Sequence, residues 1–174
     1  LAGQVDGYPD GTFKPGREVT AGEGLKMLLM SAGYGQQEPL AGDHWASGYL
    51  ELAEEEGFLT PGEITDLDAP LSRGLVAKVA AQALQLPAAS TASPFADTGD
   101  GYAVALYEAG ILTGSYNTSG QLVYRPEATI VRSEVCTVMW KMSSYDPAEQ
   151  VPEEPDEPDE PDEPDEPDEP DPGD

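Results

Sequence analysis

Cysteine, histidine and positive charge are all scarce in this chain. Cys136 is the single cysteine in 174 residues, which excludes an internal disulfide and any zinc site built on paired thiolates. It falls on the apolar side of a helical stretch, where a thiol acts as a small, inert hydrophobe. His44 is the single histidine, and no Ser or Cys nucleophile motif stands beside it, so imidazole-assisted hydrolysis is not expected. Glu54, Glu55 and Glu56 read as a solvated helix face rather than as the paired acids of glycoside cleavage. No enzyme activity, cofactor or metal site is expected. Lysine and arginine number 8 against 34 acidic residues, a net charge of -26. Such a surface repels phosphate backbones and anionic headgroups, and no run of Lys and Arg offsets that, so nucleic acid and membrane are not expected partners. No stretch approaches the roughly 18 apolar residues of a membrane span. Leu1 opens without an initiator Met, a charged n-region or an apolar signal core, as expected of a piece of a longer polypeptide.

The acid is unevenly placed. Residues 153–174 hold 14 Asp and Glu with no Lys or Arg, leaving 20 acidic and 8 basic side chains before them. Both tryptophans, Trp45 and Trp140, lie in that earlier part, which can bury one ordinary core, whereas the end of the chain has almost nothing to bury. There, Glu-Pro-Asp repeats with a proline every third residue, matching the turn of polyproline II. Residues 146–174 are therefore expected to be a disordered acidic, Pro-rich tail, whose residues 153–174 make a spacer of about 70 Å at ~3.1 Å per residue. Weak calcium binding along its carboxylates is the competing reading.

What the chain does have is internal repetition. The stretch GYPDGTFKPGREVTAGEGLKML, beginning at Gly7, returns in worn form as GQLVYRPEATIVRSEVCTVM. A constant offset of 111 sets Phe13 on Tyr124, Pro15 on Pro126, Val19 on Ile130, Glu23 on Glu134 and Leu28 on Met139. A third copy, APLSRGLVAKVAAQAL, sets Leu71 on Val19 and Ser72 on Thr20. The period is 50 to 60 residues, which marks a repeat protein.

Each repeat has two halves. The first is a helix, read in DHWASGYLELAEEEGFL from Trp45, Tyr49, Leu52 and Ala53 at helical spacing and closed by Gly57 as a left-handed cap. FADTGDGYAVALYEAGIL repeats it, with Gly110 for Gly57. The second is a glycine-rich loop, an aromatic and another helix. Thr20 and Glu23 predict a capping box at its start; Ser72 keeps the hydroxyl but meets Leu75, and Val131 loses it while Glu134 stays. Asp10 and Gly11 read as turn formers. Short strands are expected near Phe13 and Val123.

The layout resembles the S-layer homology (SLH) family: a Trp-Ala helix ending in Gly-Ile/Leu, a loop like GYPDGTFKP (Gly7 to Pro15), and helix starts like VTAGE (Val19 to Glu23) and IVRSE (Ile130 to Glu134). The resemblance covers roughly residues 1 to 145. It implies a mainly α fold of three SLH repeats in a pseudo-threefold arrangement around a helical bundle. The repeats would be a partial one at 1–34, a second at 40–86 and a third at 93–145, before the tail at 146–174. It further implies noncovalent anchoring of an extracellular protein to the bacterial cell wall or S-layer. The partner would be a secondary cell-wall polysaccharide, often pyruvylated, bound in grooves between repeats, with a cargo domain attached.

A pyruvyl ketal puts a carboxylate on a sugar. An arginine at a helix N-terminus suits it, aided by free backbone N–H groups and the positive end of the dipole; Arg73 and Arg132 stand there. Trp45 can stack on a sugar face, and Asp43 and Asp97 can accept hydroxyl hydrogen bonds. The bland readings stand beside these: Trp45 as a core aromatic, the two arginines as solvated helix starts. The family arginine is Ala21 in repeat one, Thr98 stands where repeat three would carry its tryptophan, and repeat one lacks its Trp-Ala helix. At most two grooves are expected to be well equipped. The acid surplus is expected to weaken binding at low salt. The alternative functions are a degenerate structural or protein-interaction module with calcium-dependent assembly, and the targeting module of an extracellular hydrolase.

Overall fold

Three helices begin side by side and hold one another at their first residues. In the computed structural model, which describes residue 5 and residues 7–147, α1 (Ala21–Ser31), α3 (Arg73–Ala83) and α5 (Arg132–Ser143) are each preceded by an extended residue. Those extended segments close a ring: Val19 N–H donates to the Ile130 carbonyl at 3.0 Å, Ile130 N–H to Leu71 at 3.1 Å, and Leu71 N–H to Val19 at 2.8 Å. One residue into each helix the pattern repeats outward: Ala21, Arg73 and Arg132 donate to the carbonyls of Ala69, Ala128 and Arg17. Gly22, Gly74 and Ser133 donate to Leu67, Pro126 and Pro15. These bonds consume amides that a helix start otherwise leaves unpaired.

The caps follow the sequence. The Thr20 hydroxyl accepts from Glu23 N–H and the Glu23 carboxylate accepts from Thr20 N–H, so the box closes on α1. Ser72 accepts from Leu75 N–H, and at α5 only the carboxylate half remains, Val131 N–H donating to Glu134. Two further helices, α2 (Ser47–Glu55) and α4 (Gly101–Glu108), pack on α1 and α3. Both stop where expected, with Gly57 at φ 76° and Gly110 at φ 71°. Trp45 lies outside α2, whose helical turn starts at Ser47. The core is one apolar cluster in which Leu25, Leu28, Val76, Ala80, Val135 and Met139 are essentially inaccessible.

The fold is mainly α. Strand is confined, among the described residues, to β1 (Ser115–Tyr116) paired antiparallel with β2 (Leu122–Val123). No strand forms at Phe13, because Lys14 turns the chain in the left-handed region at φ 51°. The Tyr8–Thr12 turn is made as read: Gly11 N–H donates to the Tyr8 carbonyl, and Asp10 accepts from the Thr12 amide and hydroxyl. No described helix is long and apolar enough to cross a membrane, and no described cluster of His, Cys, Asp and Glu could hold a metal. Cys136 is half-buried rather than buried, and burial pushes its thiol up, against a smaller pull from Arg132. The tail expected over 146–174 lies outside the described residues from position 148 on.

Candidate functional site

The loop from Tyr8 to Arg17 folds over the start of α5 because Arg132 and Ser133 tie its backbone down. This brings Arg132 under two rings: its guanidinium lies 4.8 Å from the Tyr8 ring centre and 5.1 Å from that of Phe13. Its Nε donates to the Phe13 carbonyl at 3.1 Å, and a terminal nitrogen lies 3.9 Å from Glu23. Two more cations face the same tyrosine, Lys14 at 4.4 Å and Arg17 at 4.8 Å. Arg17 also donates to the Tyr8 hydroxyl and pairs with Glu23 at 3.3 Å. A groove of about 310 Å³ opens here, lined by Tyr8, Glu23, Lys26, Met27, Trp45 and Arg132 among others.

Trp45 is 46% exposed at the rim, so the core reading does not hold for it. His44 supports it, the two rings 5.4 Å apart. Because His44 Nδ1 accepts from the Ala46 amide at 3.1 Å, the ring proton sits on Nε2, 3.3 Å from Asp68.

The loop around Tyr124 covers the start of α3 in the same way. Arg73 donates from Nε to the Tyr124 carbonyl at 2.9 Å and from a terminal nitrogen to Glu134 at 2.7 Å, with the Tyr124 ring 5.3 Å away. Tyr124 is buried and returns a hydrogen bond from its hydroxyl to the Arg73 carbonyl. Burial drives its phenol far above the ordinary range, with the Arg73 charge pulling the other way. This second groove, about 170 Å³, holds Arg73, Tyr124, Glu134, Thr137 and Val138 among its lining. It has no counterpart of Trp45.

At the third junction the equivalents are Ala21, Thr65 and Leu75. Arginine, aromatic and glutamate are all absent together, and Lys78, the equivalent of Lys26, is tied to Glu63 at 2.7 Å.

Several sequence expectations change. Neither arginine is a solvated helix start, since Arg132 is 4% exposed and Arg73 half-buried. The helix-start amides beside them are not free, because the neighbouring loops take them. Asp97 does not wait for a ligand: its carboxylate accepts from the Tyr124 amide at 2.9 Å and the Arg125 amide at 2.7 Å. Partial desolvation pushes that carboxyl up, but the two amides and the Arg125 charge outweigh it and hold it below the usual range. Asp43 is exposed in the turn before α2 and lines neither groove. The absence of a basic run is also misleading, because Lys14, Arg17, Lys26 and Arg132, half of the 8 basic residues, gather around one groove. Tyr8, Arg17, Glu23 and Lys26 escaped the sequence reading, although the offset of 111 already paired Glu23 with Glu134.

Residues 2–23, which supply the turn, the ring segment and the start of α1, match the family model of the S-layer homology domain. That stretch is thus of the S-layer homology kind. An uncharacterized cell wall amidase of Bacillus anthracis is 36% identical over 61 residues, which cover 32% of this chain and 12% of the amidase. The chain thus spans a small part of that relative's length.

Proposed function

We propose that this chain is a noncovalent anchor that binds an anionic cell-wall glycan, a pyruvylated secondary polymer being the best fit, through the Arg132 groove. The observation that carries the reading is that Lys26 and Arg132 line one groove with the half-exposed Trp45 and with Tyr8, whose ring Lys14 and Arg17 also face, in an otherwise strongly acidic protein. A ring with a pendant carboxylate presents an apolar face for Trp45 and a charge for the cations around Tyr8. The SLH match and the cell-wall name of the relative point the same way. In this reading the three ring-forming units are copies of one repeat with pseudo-threefold symmetry, bounded near 1–34, 40–86 and 93–145. The module is not an enzyme, works on the outside of the bacterial wall, and carries a cargo domain. Lys14, Arg17 and Lys26 replace Asp43 and Asp97 as the residues assigned to the ligand.

The worn third junction favours a second reading, in which the domain is scaffolding and its grooves no longer bind sugar. Cosedimentation with wall sacculi separates the two, comparing sacculi that retain their secondary polymer with stripped ones, each with and without EDTA. Trp45→Ala and Lys26→Ala are the variants of choice, because both side chains line the groove and neither is the arginine whose Nε holds the Phe13 carbonyl. Retention lost on stripping and weakened about ten-fold or more by each variant supports the anchor, a loss of ~1.4 kcal/mol. Retention indifferent to stripping and to both variants supports scaffolding, and retention lost only in EDTA points to calcium-dependent assembly.

A further inference from the structure

The Arg132 groove combines two chemistries, positive charge and exposed flat rings, and one segment of the chain carries the complement of both. Lys26 and Arg132 belong to the groove's lining, and Lys14 and Arg17 face the Tyr8 ring beside them. Even with Asp10 on Lys14 at 2.9 Å and Glu23 on Arg17 at 3.3 Å, this is where the scarce positive charge collects. The rings are those of Tyr8 and the half-exposed Trp45. The Arg73 groove differs on both counts, since its arginine pairs with Glu134 at 2.7 Å and its Tyr124 is buried. Grooves lined by aromatics accept proline-rich segments, which start with little conformational freedom to lose.

Residues 153–174 hold the matching chemistry. They contain 14 Asp and Glu with no Lys or Arg, and from Pro155 to Pro170 a proline recurs at every third position with an Asp-Glu pair between each two. The repeat offers the same ring and the same two charges in every register, so no single alignment is required. Its connection to the bundle is long enough. Tyr145 and Pro147 line a pocket with Ala32 and Leu84, the residues that cap the ends of α1 and α3. From there to the level of Arg132 is the length of α5, about 17 Å at 1.5 Å per residue. Residues 148–152 can cover about 15 Å and residues 153–174 about 70 Å more, so several Asp-Glu pairs come within reach. A single exposed ion pair is weak, but a tether of this length holds the repeat near the groove at an effective concentration on the order of millimolar.

We propose that the Glu-Pro-Asp repeat of residues 153–174 occupies the Arg132 groove of its own chain, with its carboxylates facing Lys14, Arg17 and Lys26 and a proline ring on Trp45. Low ionic strength favours this contact and salt releases it, because exposed charges are screened. An anionic glycan entering the groove must first displace the repeat, which makes the repeat a tethered competitor. Only this consequence rests on the anchor reading; the contact itself does not.

The test uses the full chain with Cys136→Ser and a nitroxide attached at Asp162→Cys, read by nuclear magnetic resonance. At about 20 mM salt, paramagnetic relaxation of the Trp45 indole N–H and of the Tyr8 and Lys26 amides should exceed that of Thr113 and Thr137 in the other groove by about three-fold or more, and the contrast should vanish near about 0.5 M. Lys14→Gln combined with Lys26→Gln should abolish it as well. Equal relaxation at the two grooves, or a contrast indifferent to salt and to the lysine changes, overturns the proposal. So does equal relaxation in isotope-labelled chains without nitroxide mixed with spin-labelled ones, since the occupant is then the repeat of a second copy. Soluble secondary polymer released from sacculi should relieve the relaxation at Trp45. A contrast that responds to salt and to the lysine changes but not to that polymer upholds the contact and counts against the anchor reading at this groove.

Discussion

Arg132 donates from Nε to the Phe13 carbonyl at 3.1 Å, and its counterpart Arg73 makes the same bond to Tyr124 at 2.9 Å. Each arginine therefore fastens its own helix to a loop distant in sequence, through one carbonyl, one glutamate and the aromatic rings beside it, two for Arg132 and one for Arg73. Removing Arg132 leaves the Phe13 carbonyl without that donor and unstacks two aromatics. Arg132→Ala should cost about 2–3 kcal/mol, as expected for a buried charged hydrogen-bonding group. Arg73→Ala should cost less, because its side chain is more exposed, 19% against 5%. Arg132→Lys should recover little, since an ammonium cannot reproduce the planar fork. Urea midpoints at constant slope check all three.

The worn caps can be repaired and the intact ones broken. Thr20→Ala, which opens a complete box, should destabilise by ~1 kcal/mol. Val131→Thr restores the missing hydroxyl opposite Glu134 with little change of volume and should stabilise by about 0.5–1 kcal/mol. Gln85 sits in the left-handed region at φ 59°, where its counterpart Gly33 has φ 96°. Gln85→Gly should therefore gain up to about 1 kcal/mol, whereas Gly57→Ala and Gly110→Ala should lose about that much. Thermal melts of the five variants test the set, and a stabilising Gly57→Ala would sink the backbone argument.

The parts legible in the sequence were those governed by local rules. Thr20, Glu23, Ser72, Glu134, Gly57 and Gly110 act on neighbours within a few residues, so their types announce their jobs. The offset joining Phe13 to Tyr124 and Glu23 to Glu134 exposed the repetition but not its geometry. Nothing in spacing alone says that Arg132 meets Phe13 or that Trp45 shares a groove with Arg132, because each pair joins different units across the ring. The charge cluster was hidden for the same reason: Lys14, Arg17, Lys26 and Arg132 never form a run. Asp97 misled because an exposed aspartate in a loop looks the same whether it serves a ligand or the backbone of a distant turn.

Asp97 gives the chain an acid-sensitive clasp. Its carboxyl is held below the ordinary aspartate range of about 4 by two amide donors from the Tyr124 loop, after desolvation has pushed the other way. A depressed folded-state value means the carboxylate stabilises the fold fully above the unfolded value and progressively less as the pH falls through the folded one. The contribution should be present at neutral pH and fade below about pH 4. Asp97→Asn should then lower the melting temperature at pH 7 and do so less at pH 3. The group is exposed, so the effect is expected to be modest. An equal loss at both values would show that the amide contacts matter through shape rather than charge.

The third junction tests whether arginine, aromatic and glutamate work as a unit. Ala21 is buried, and its neighbours at the equivalent places are Leu75 and Thr65. An arginine introduced alone would bring a charge to a place with neither carboxylate nor ring, so Ala21→Arg should destabilise by about 1–3 kcal/mol. Adding Leu75→Glu provides the partner that Arg73 finds in Glu134, and adding Thr65→Tyr provides the ring that lies under its guanidinium. The combination should be better than the sum of its parts by roughly 1–3 kcal/mol, the coupling typical of residues in one network. Simple additivity would mean that the three features vanished from this junction independently, and that the resemblance between the two intact junctions is one of sequence rather than of shared energetics.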